Sequence, residues 1–245
     1  MDAIKVCDLF DLTHTRAAKM LAACEYPWEA LSKIGETVLA IGQGLDLSDY
    51  DHPAEDVWIA KTATVAATAS IAGPCVIGEK TEVRPGAFIR GNVLVGDGAV
   101  VGNSCELKNC ILFDEVQTPH YNYVGDSVLG YKAHMGAGAV TSNVKGDKKN
   151  VVVHGERDYE TGRKKFGAML GDFAEIGCNS VLNPVTVIGR NSNVYPLSSV
   201  RGCVPSDSIY KGQDNIVVKE AREVETEQEA PEAPEKGKGG LKVVK

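Results

Sequence analysis

The chain has 245 residues, of which 43% are hydrophobic, and a formal net charge of −7. This length suits one elongated domain with appendages, and an acidic chain is poorly suited to nucleic acid, which needs a basic surface. No run of 18 apolar residues occurs, and residues 1–20 lack the apolar core of a signal peptide. We therefore expect a cytoplasmic protein with no membrane or nucleic-acid partner.

Residues 1–50 are predicted to be helical. Apolar residues recur there at three- and four-residue spacing, Pro27 separates two candidate helices, and Gly42 and Gly44 end the second. The end of a parallel β-helix exposes a sheet edge that invites aggregation. We expect this segment to be a small helical cap, because it is too short for a second catalytic domain and contains no Gly-rich phosphate loop.

Residues 55–205 follow a six-residue period. This period fits neither the 3.6 of a helix nor the 2.0 of a single strand, and it is typical of a hexapeptide β-helix. An ordinary β-sandwich would not hold phase over so many repeats. The aliphatic positions are Ile59, Val65, Ile71, Ile77, Val83, Ile89, Val95, Val101 and Leu107, then Leu129 and Met135, then Leu170, Ile176, Leu182, Ile188, Val194 and Val200.

Two further columns accompany the aliphatic one. The next residue is often small, as at Gly78, Gly96 and Gly102, where a sharp bend would crowd a Cβ atom. Four positions after the aliphatic residue comes another small one, as at Cys75 and Cys105. The pattern resembles the left-handed β-helix of hexapeptide acyltransferases, in which three sides make a coil of about 18 residues. The predicted fold class is an all-β solenoid, a left-handed parallel β-helix.

Two interruptions and two terminal segments complete the prediction. The period is lost over residues 113–120, which are interpreted as an irregular break, and over residues 144–165, interpreted as a loop projecting from the tube. Residues 206–218 form a short C-terminal segment, whose last residues are expected to lie back on the coils. The composition of residues 219–245, rich in Glu, Ala, Pro, Lys and Gly, predicts a disordered tail.

Seven cysteines occur without a CxxC pair. Such usage gives little support to a zinc or disulfide framework and suggests a reducing compartment. Cys75 and Cys105 fall on the small inward column, which predicts that they are buried as small hydrophobic side chains. No metal site is predicted.

Arg90 and Lys108 replace small residues in their column. They are 18 residues apart, one coil, so they should lie about 4.8 Å apart on one side. Two stacked cations repel, so either Glu106 or another carboxylate neutralises them, or they wait for an anion. We expect an anion site, with Arg84 on a neighbouring side as a less suitable partner.

A polar stretch follows the first interruption. His120 stands at its end, and Tyr121, Asn122 and Tyr123 come next, with side chains that could hydrogen-bond a sugar. An isolated histidine is more often structural, but these neighbours favour a catalytic role. Neutral imidazole near pH 7 can take a proton from an amine that is about to attack.

These residues carry a resemblance to a known family. Over residues 57–205 the chain resembles the acetyltransferase half of the bifunctional N-acetylglucosamine-1-phosphate uridyltransferase/glucosamine-1-phosphate acetyltransferase. The matching motifs are Val101-Gly102-Asn103, Glu106-Leu107-Lys108, His120 with Tyr123-Val124-Gly125-Asp126, Gly136-Ala137-Gly138 followed by Asn143, Lys165-Phe166, Leu170-Gly171-Asp172, Ile176-Gly177 and Pro184-Val185-Thr186-Val187.

The resemblance implies a role for each matching residue. His120 would be the general base, with the backbone amide of Ala137 in the oxyanion site. Tyr123 and Asn143 would contact the sugar. The residues implied to hold the sugar phosphate are Arg90, Lys108 and Lys165.

Acetyl-coenzyme A, as co-substrate, would lie along the later coils. The resemblance places it near Ala137, Cys178 and the region that ends at Arg201, at the border of two subunits. Family members are trimers, so a homotrimer with shared sites is implied.

Three features depart from the family. The Gly-rich nucleotidyltransferase domain is missing, so uridyl transfer is not expected from this chain. His134 stands where the family often has Asn, and Val144 replaces an aromatic residue after Asn143. The loop over residues 144–165 is also longer. These departures concern the acceptor sugar more than the reaction.

Three classes of function fit to different degrees. The favoured one is an acetyl-coenzyme A-dependent N-acetyltransferase acting on an amino-sugar phosphate such as glucosamine 1-phosphate, in the biosynthesis of a nucleotide sugar such as UDP-N-acetylglucosamine. The alternative is a non-catalytic trimeric scaffold, or a sugar-phosphate sensor for a separate sugar nucleotidyltransferase. A zinc lyase resembling the γ-carbonic anhydrases needs a histidine triad, and the five histidines show no short-spaced pair on the lattice.

Overall fold

A computed structural model of the chain describes residues 3–220. The N-terminal segment contains three short α-helices, α1 (Val6–Leu9), α2 (Ala18–Ala22) and α3 (Ile34–Gln43), and two 3₁₀ helices, Leu12–His14 and Pro27–Ser32. None of the helices between residues 3 and 220 is long and apolar enough to cross a membrane. Apart from its first two residues, the predicted disordered tail lies outside the described residues.

The remaining chain winds into a tube with three faces. The first face contains β2 (Val57–Ala60), β5 (Cys75–Ile77), β8 (Val93–Val95), β17 (Ala168–Leu170), β20 (Thr186–Ile188) and β23 (Cys203–Val204). The second contains β3 (Thr64–Val65), β6 (Glu82–Val83), β9 (Val100–Asn103), β11 (Gln117–His120), β13 (His134–Met135), β18 (Glu175–Ile176), β21 (Asn193–Val194) and β24 (Ser208–Gly212).

The third face contains β4 (Ser70–Ile71), β7 (Phe88–Ile89), β14 (Val140–Thr141), β19 (Val181–Leu182) and β22 (Ser199–Val200). Two longer strands, β10 (Glu106–Leu112) and β12 (Tyr123–Leu129), run around the corner from the third face to the first. Neighbouring coils pair in parallel throughout the three faces. The predicted fold class, a left-handed parallel β-helix, is confirmed.

The predicted inward columns form the core. Ile77, Ile89, Val101 and Leu107 are fully buried, and strand register stacks each on its counterpart one coil away, as in the pair Leu107 and Ile89. The glycine column is crowded as expected: a Cβ atom on Gly96 would lie 2.5 Å from the carbonyl carbon of Phe113. The six-residue period therefore reflects two constraints: the packing of side chains inside the tube, and the close approach of backbone atoms at its bends.

The interpretation of residues 113–120 as an irregular break is wrong. Leu107 pairs with Ile89, eighteen positions earlier, whereas Cys110 pairs with Val93, seventeen positions earlier. One residue is therefore missing at the corner between them, and the coil continues. Phe113 is fully buried, and β11 pairs in parallel with β9 and β13. A single deletion shifts the phase of the pattern without interrupting the tube.

Residues 144–165 leave the tube as predicted but do not stand free of it. They form a hairpin of β15 (Val152–His154) and β16 (Asp158–Glu160). Val153 is buried, and the ring of Tyr159 lies 5.4 Å from that of Tyr26 in the N-terminal segment. The insertion thus packs against the N-terminal segment.

The N-terminal segment lies along the first face of the tube. It does not cover an end of the tube, as the sequence predicted. Helix α3 packs on β5, β8 and β10, and Asn109 Nδ2 donates a hydrogen bond to the Leu31 carbonyl at 3.2 Å. Two antiparallel strands meet the outer sheet edges instead: β1 (Tyr50–Ala54) pairs with β2, and β25 (Asn215–Val218) pairs with β24. Helices on the flank are positioned to take part in a site on the tube wall.

Candidate active site at two corners of the third face

The candidate residues lie at the two corners that border the third face. We call the turn from the second face to the third the His120 corner, defined by His120, Ala137 and Cys178. We call the turn from the third face to the first the Lys108 corner, defined by Arg90 and Lys108. Each corner is a column of residues from successive coils.

Strand register assembles the His120 corner. Gln117 pairs with His134, and His134 pairs with Glu175, so the residues three positions later also stack. The backbone bonds agree: the Gly138 amide donates to the His120 carbonyl at 3.0 Å, and the Asn179 amide donates to that of Ala137 at 2.8 Å. The predicted base, the predicted oxyanion residue and a predicted coenzyme A contact therefore lie on consecutive coils.

The side chain of His120 is exposed, and among residues 3–220 its imidazole has no hydrogen-bond partner. Its backbone N–H donates to Asn122 Oδ1 at 3.1 Å. Asn122 is only 2% exposed and donates to the carbonyls of Gly136 and Ala139 at 2.8 and 3.0 Å. Asn122 is thus a buried brace of this corner, and the expectation that its carboxamide could bind a sugar is wrong.

The corner also offers an unused backbone donor. Within the described chain, the Ala137 N–H has no acceptor, whereas the flanking amides of Gly136 and Gly138 are both hydrogen-bonded. The thiol-bearing residue Cys178 is exposed on the next coil. A free N–H beside an exposed imidazole is the pair of groups that an acyl-transfer site requires.

At the Lys108 corner the two cations stack as predicted, and each has a carboxylate partner. Arg90 Nη1 lies 2.6 Å from Glu106 Oε1, and Lys108 Nζ lies 3.3 Å from Asp126 Oδ2. The sequence leaves two alternatives open, neutralisation by a carboxylate or a site that waits for an anion. The structure contains a neutralising carboxylate at each of the two cations. An incoming anion at this column would have to share them.

Asp126 is the centre of this corner, a role that the sequence did not reveal. It is 4% exposed and accepts hydrogen bonds from Asn109 Nδ2 at 2.8 Å and Asn143 Nδ2 at 2.6 Å, besides its contact with Lys108. A buried carboxylate is tolerated when such donors surround it. The sequence did contain one indication of this role: the six-residue period places an acidic residue, Asp126, at a corner of the tube.

Tyr123 and Asn143, the predicted sugar contacts, lie together. Asn143 Nδ2 donates to the Tyr123 hydroxyl oxygen at 3.2 Å. Burial raises the pKa of Tyr123, and the charges of Asp126 and Glu106 add to this effect. The phenol therefore stays protonated at neutral pH and keeps its O–H for a further acceptor.

The other predicted residues lie around this pair. Lys165 is exposed at the base of the insertion, where it pairs with Val144, and the adjacent Phe166 amide donates to the Asn143 carbonyl at 3.0 Å. Arg201 is exposed on the same corner, further along the tube. His134 instead lies on the second face, where its Nδ1 is 2.8 Å from Glu175 Oε2.

The third face separates the His120 corner from the predicted sugar contacts by a short distance. His120 and Tyr123 are three residues apart, a length of chain that spans at most about 10 Å. Within residues 3–220, no group of three His, Cys, Asp or Glu side chains is placed to hold a metal ion. The arrangement can thus hold a polar ligand at one corner and present it to an imidazole at the other.

Known proteins match large parts of the chain. A family model described as the GMPPB C-terminal domain matches residues 71–157. A Methanococcus aeolicus protein named bifunctional protein GlmU is 27% identical over 201 residues, which cover 74% of this chain and 49% of that protein. A Cyanothece sp. protein of the same name is 32% identical over 157 residues, which cover 64% of this chain and 31% of that protein.

The predicted resemblance to this bifunctional enzyme is confirmed. The chain spans about half the length, or less, of the relatives it matches. Among solved structures it is similar to a GDP-perosamine N-acetyl transferase from Caulobacter crescentus in complex with CoA and GDP-perosamine. That match has 16% identity and a TM-score of 0.35, and it covers 67% of this chain and 57% of the other.

Proposed function

We propose that the protein is an acetyl-coenzyme A-dependent N-acetyltransferase that acts on an amino-sugar phosphate, with His120 as general base. The observation that carries the proposal is the His120 corner, where an exposed imidazole and the open N–H of Ala137 lie on consecutive coils. The relatives named bifunctional protein GlmU support acyl transfer to a sugar-related acceptor.

In the proposed reaction, the acceptor attacks as its neutral amine, and His120 accepts the one proton that the nitrogen loses. The nitrogen then forms a bond to the acetyl carbon while the carbon–sulfur bond of the thioester breaks. The N–H of Ala137 donates a hydrogen bond to the carbonyl oxygen as negative charge develops there. The proton held by His120 finally passes to the departing thiolate, so the histidine returns to its neutral form.

The sugar would lie on the third face between the two corners. Tyr123 and Asn143 would contact its hydroxyl groups, and the short span to His120 would bring the amine to the imidazole. Such alignment of the two reactants contributes a large part of the rate of acyl-transfer enzymes. Arg90, Lys108 and Lys165 remain the phosphate contacts that the resemblance implies.

The co-substrate would lie along the later coils, near Cys178 and Arg201, at a subunit border. A neighbour at the His120 corner is supported by exposed apolar side chains there, with Tyr121 64% and Leu197 79% exposed in the single chain. We therefore propose a homotrimer. Light scattering at micromolar concentration should give three times the chain mass, and a monomer mass would contradict both the shared site and this placement.

One observation favours the non-catalytic alternative. A catalytic histidine is usually oriented by a second hydrogen bond, and the imidazole of His120 has none within residues 3–220. A thiol-release assay with acetyl-coenzyme A and glucosamine 1-phosphate separates the two functions. Release that depends on both substrates is expected, whereas sugar-phosphate binding without release would favour the scaffold or sensor.

A further inference from the structure

A second histidine, on the second face of the tube, has the fixed orientation that His120 lacks. His134 Nδ1 lies 2.8 Å from Glu175 Oε2, and within residues 3–220 the other ring nitrogen, Nε2, has no partner. An ionised carboxylate only accepts hydrogen bonds, so the neutral imidazole carries its hydrogen on Nδ1 and leaves Nε2 open. The pairing therefore holds His134 in the tautomer that can accept a proton at Nε2.

His134 lies close to the His120 corner. It precedes Ala137 by three residues, a length of chain that spans at most about 10 Å. Gln117, its neighbour in the adjacent strand, precedes His120 by the same three residues. The His134 side chain points out of the tube, since the next residue, Met135, is fully buried. His134 thus stands beside the corner at which the acceptor amine would react.

A cavity of about 360 Å³ lies beside this pair, within the roughly 300–1,000 Å³ that small-molecule sites occupy. Its wall consists of Glu115, Gln117, Lys132, His134, Phe173 and Glu175. Lys132 Nζ lies 3.3 Å from Glu115 Oε2, so these two charges cancel. Glu175 then gives the wall a net negative charge while His134 is neutral. Such a wall attracts a cation and repels a phosphoryl group.

The groups around His134 come from the strands and turns packed against it. Glu175 lies on β18, where it also pairs with the uncharged Asn193 of β21. Lys132 and Glu115 lie in the turns that precede β13 and β11, and β11 itself contributes the uncharged Gln117. Glu175 is therefore the charge that acts on His134 most directly.

Two comparisons distinguish this pair. On the insertion, His154 Nδ1 lies 2.7 Å from Asp158 Oδ1, but these side chains are 69% and 68% exposed, against 36% and 49% for His134 and Glu175. A larger cavity, of about 660 Å³, lies beside the insertion where it meets the N-terminal segment. Its described lining contains no histidine, the side chain that ordinarily exchanges protons near neutral pH. Of the two cavities, the smaller one combines an oriented imidazole with closeness to the His120 corner.

We infer that His134 is a second catalytic base, which removes the first proton from the acceptor ammonium, and that Glu175 is the residue that positions it. An amine beside oxygen-bearing carbons has a pKa near that of an α-amino group, about 8, so at pH 7 about a tenth of it is neutral. The nitrogen has to lose one proton before it attacks and a second as the amide forms. The corner provides one imidazole for each.

The protons balance over one turnover. His134 Nε2 takes the first proton and returns it to water, because its side chain is 36% exposed and borders the cavity. His120 takes the second proton during attack, and this proton passes to the departing thiolate, as in the proposed reaction. The products are the amide, the thiol and one proton in solution. The inference rests on the proposed function for the reaction itself.

The test is the thiol-release assay with acetyl-coenzyme A and glucosamine 1-phosphate on the full-length chain, at pH 7 and pH 9. His134→Gln should lower kcat/KM about tenfold at pH 7, because only the neutral fraction of the amine can then react. At pH 9 the solution supplies neutral amine, and the variant should come within about twofold of the parent. Glu175→Gln should show the same pH pattern with a smaller loss, since a carboxamide can accept from Nδ1 without imposing the tautomer. His154→Gln, which removes a similar pair from the insertion, should match the parent at both pH values.

A purely structural role of His134 predicts an equal loss at both pH values, and that result would overturn the inference. Parental activity of His134→Gln at pH 7, or an equal pH-dependent loss in His154→Gln, would also overturn it. In each of these cases, release by the parent would still support the proposed function. No release by the parent would reject the proposed function and the second base together. If His134→Gln does not fold, Glu175→Gln decides, and parental activity of that variant at pH 7 would overturn the inference.

Discussion

The two corners that border the third face are built in opposite ways. At the Lys108 corner almost every polar group has a partner: Arg90 with Glu106, and Asp126 with three donors. At the His120 corner the imidazole and the Ala137 N–H have none within residues 3–220. The same coil geometry thus supports a rigid polar network on one side and unoccupied chemical groups on the other.

The difference assigns separate tasks to the corners. A network whose hydrogen bonds are complete fixes side chains in one position, which suits recognition of a ligand. Groups that exchange protons or bind a transient charge must be available when the ligand arrives, which suits the open corner. The following experiments test whether the two corners differ in this way.

The largest effect is expected from His120→Ala. Loss of the proton acceptor should lower the turnover number by about 10²–10⁴-fold in the thiol-release assay. The Michaelis constant should change less, because the Lys108 corner still holds the sugar, and rising pH should partly restore the rate as more of the amine becomes free base. A variant with near-parental turnover at neutral pH would remove His120 from the mechanism.

Asp126→Ala should act on stability instead. Removing the acceptor leaves Lys108 without its partner and takes one hydrogen bond from each of two carboxamides. The free energy of unfolding should fall by about 3 kcal/mol, the lower end expected for a broken buried ion pair. Lys108 retains contact with water, which limits the loss. Denaturant unfolding measures it, with the exposed Asp147→Ala as a control that should lose far less stability. Equal stability of the two variants would contradict a structural network.

Gly125→Ala should affect binding but not folding. The added Cβ would clash with the hydroxyl of Tyr123, which can move away because it ends a side chain, and it would lie 3.0 Å from Asn143 Nδ2. The hydrogen bond between those two residues would break, and glucosamine 1-phosphate affinity should fall about fivefold. Gly146→Ala is the control, since nothing lies within 4 Å of its Cβ position. Unchanged affinity in Gly125→Ala would separate the Tyr123–Asn143 pair from sugar binding.

The smallest effect concerns the titration of Tyr123. Because burial raises its pKa in the folded protein, the folded state retains this proton longer than the unfolded state does. The contribution to stability is therefore complete below the ordinary tyrosine value of about 10 and is lost as pH rises from there through the folded value. Tyr123→Phe should lose less stability than the parent over this alkaline range, and an identical decline would contradict the shift.

The sequence predicts the tube well because its inward columns are local and repeated. Ile89 and Leu107 needed only a period of six to be placed in one buried stack. The six-residue period led to the wrong interpretation of residues 113–120. A one-residue deletion at a corner and a true loop both interrupt the period, so the pattern alone does not distinguish them. Only the pairing of Cys110 with Val93 distinguishes them.

For the candidate site, the resemblance implied Ala137 and Cys178, register predicts only that they stack with His120, and neither predicts the contacts that depend on packing. His120, Ala137 and Cys178 stack because their coils do. The partners of Asp126 come from the two coils on either side of its own, and the cavity beside the insertion depends on two segments that lie outside the lattice. The six-residue period carries no information on where the N-terminal segment packs. The sequence therefore indicated a cap at an end of the tube, whereas the segment lies along the first face.

The insertion has a consequence for how such a protein could change over evolution. Val128 pairs with Met169 across it, forty-one positions later, in the register that an ordinary coil would have. A segment added at that corner leaves every stacked layer of the tube undisturbed, so its length and composition are free to vary independently of the core. Specificity for new acceptors could then be acquired by exchanging one hairpin, with the scaffold and its chemistry inherited intact.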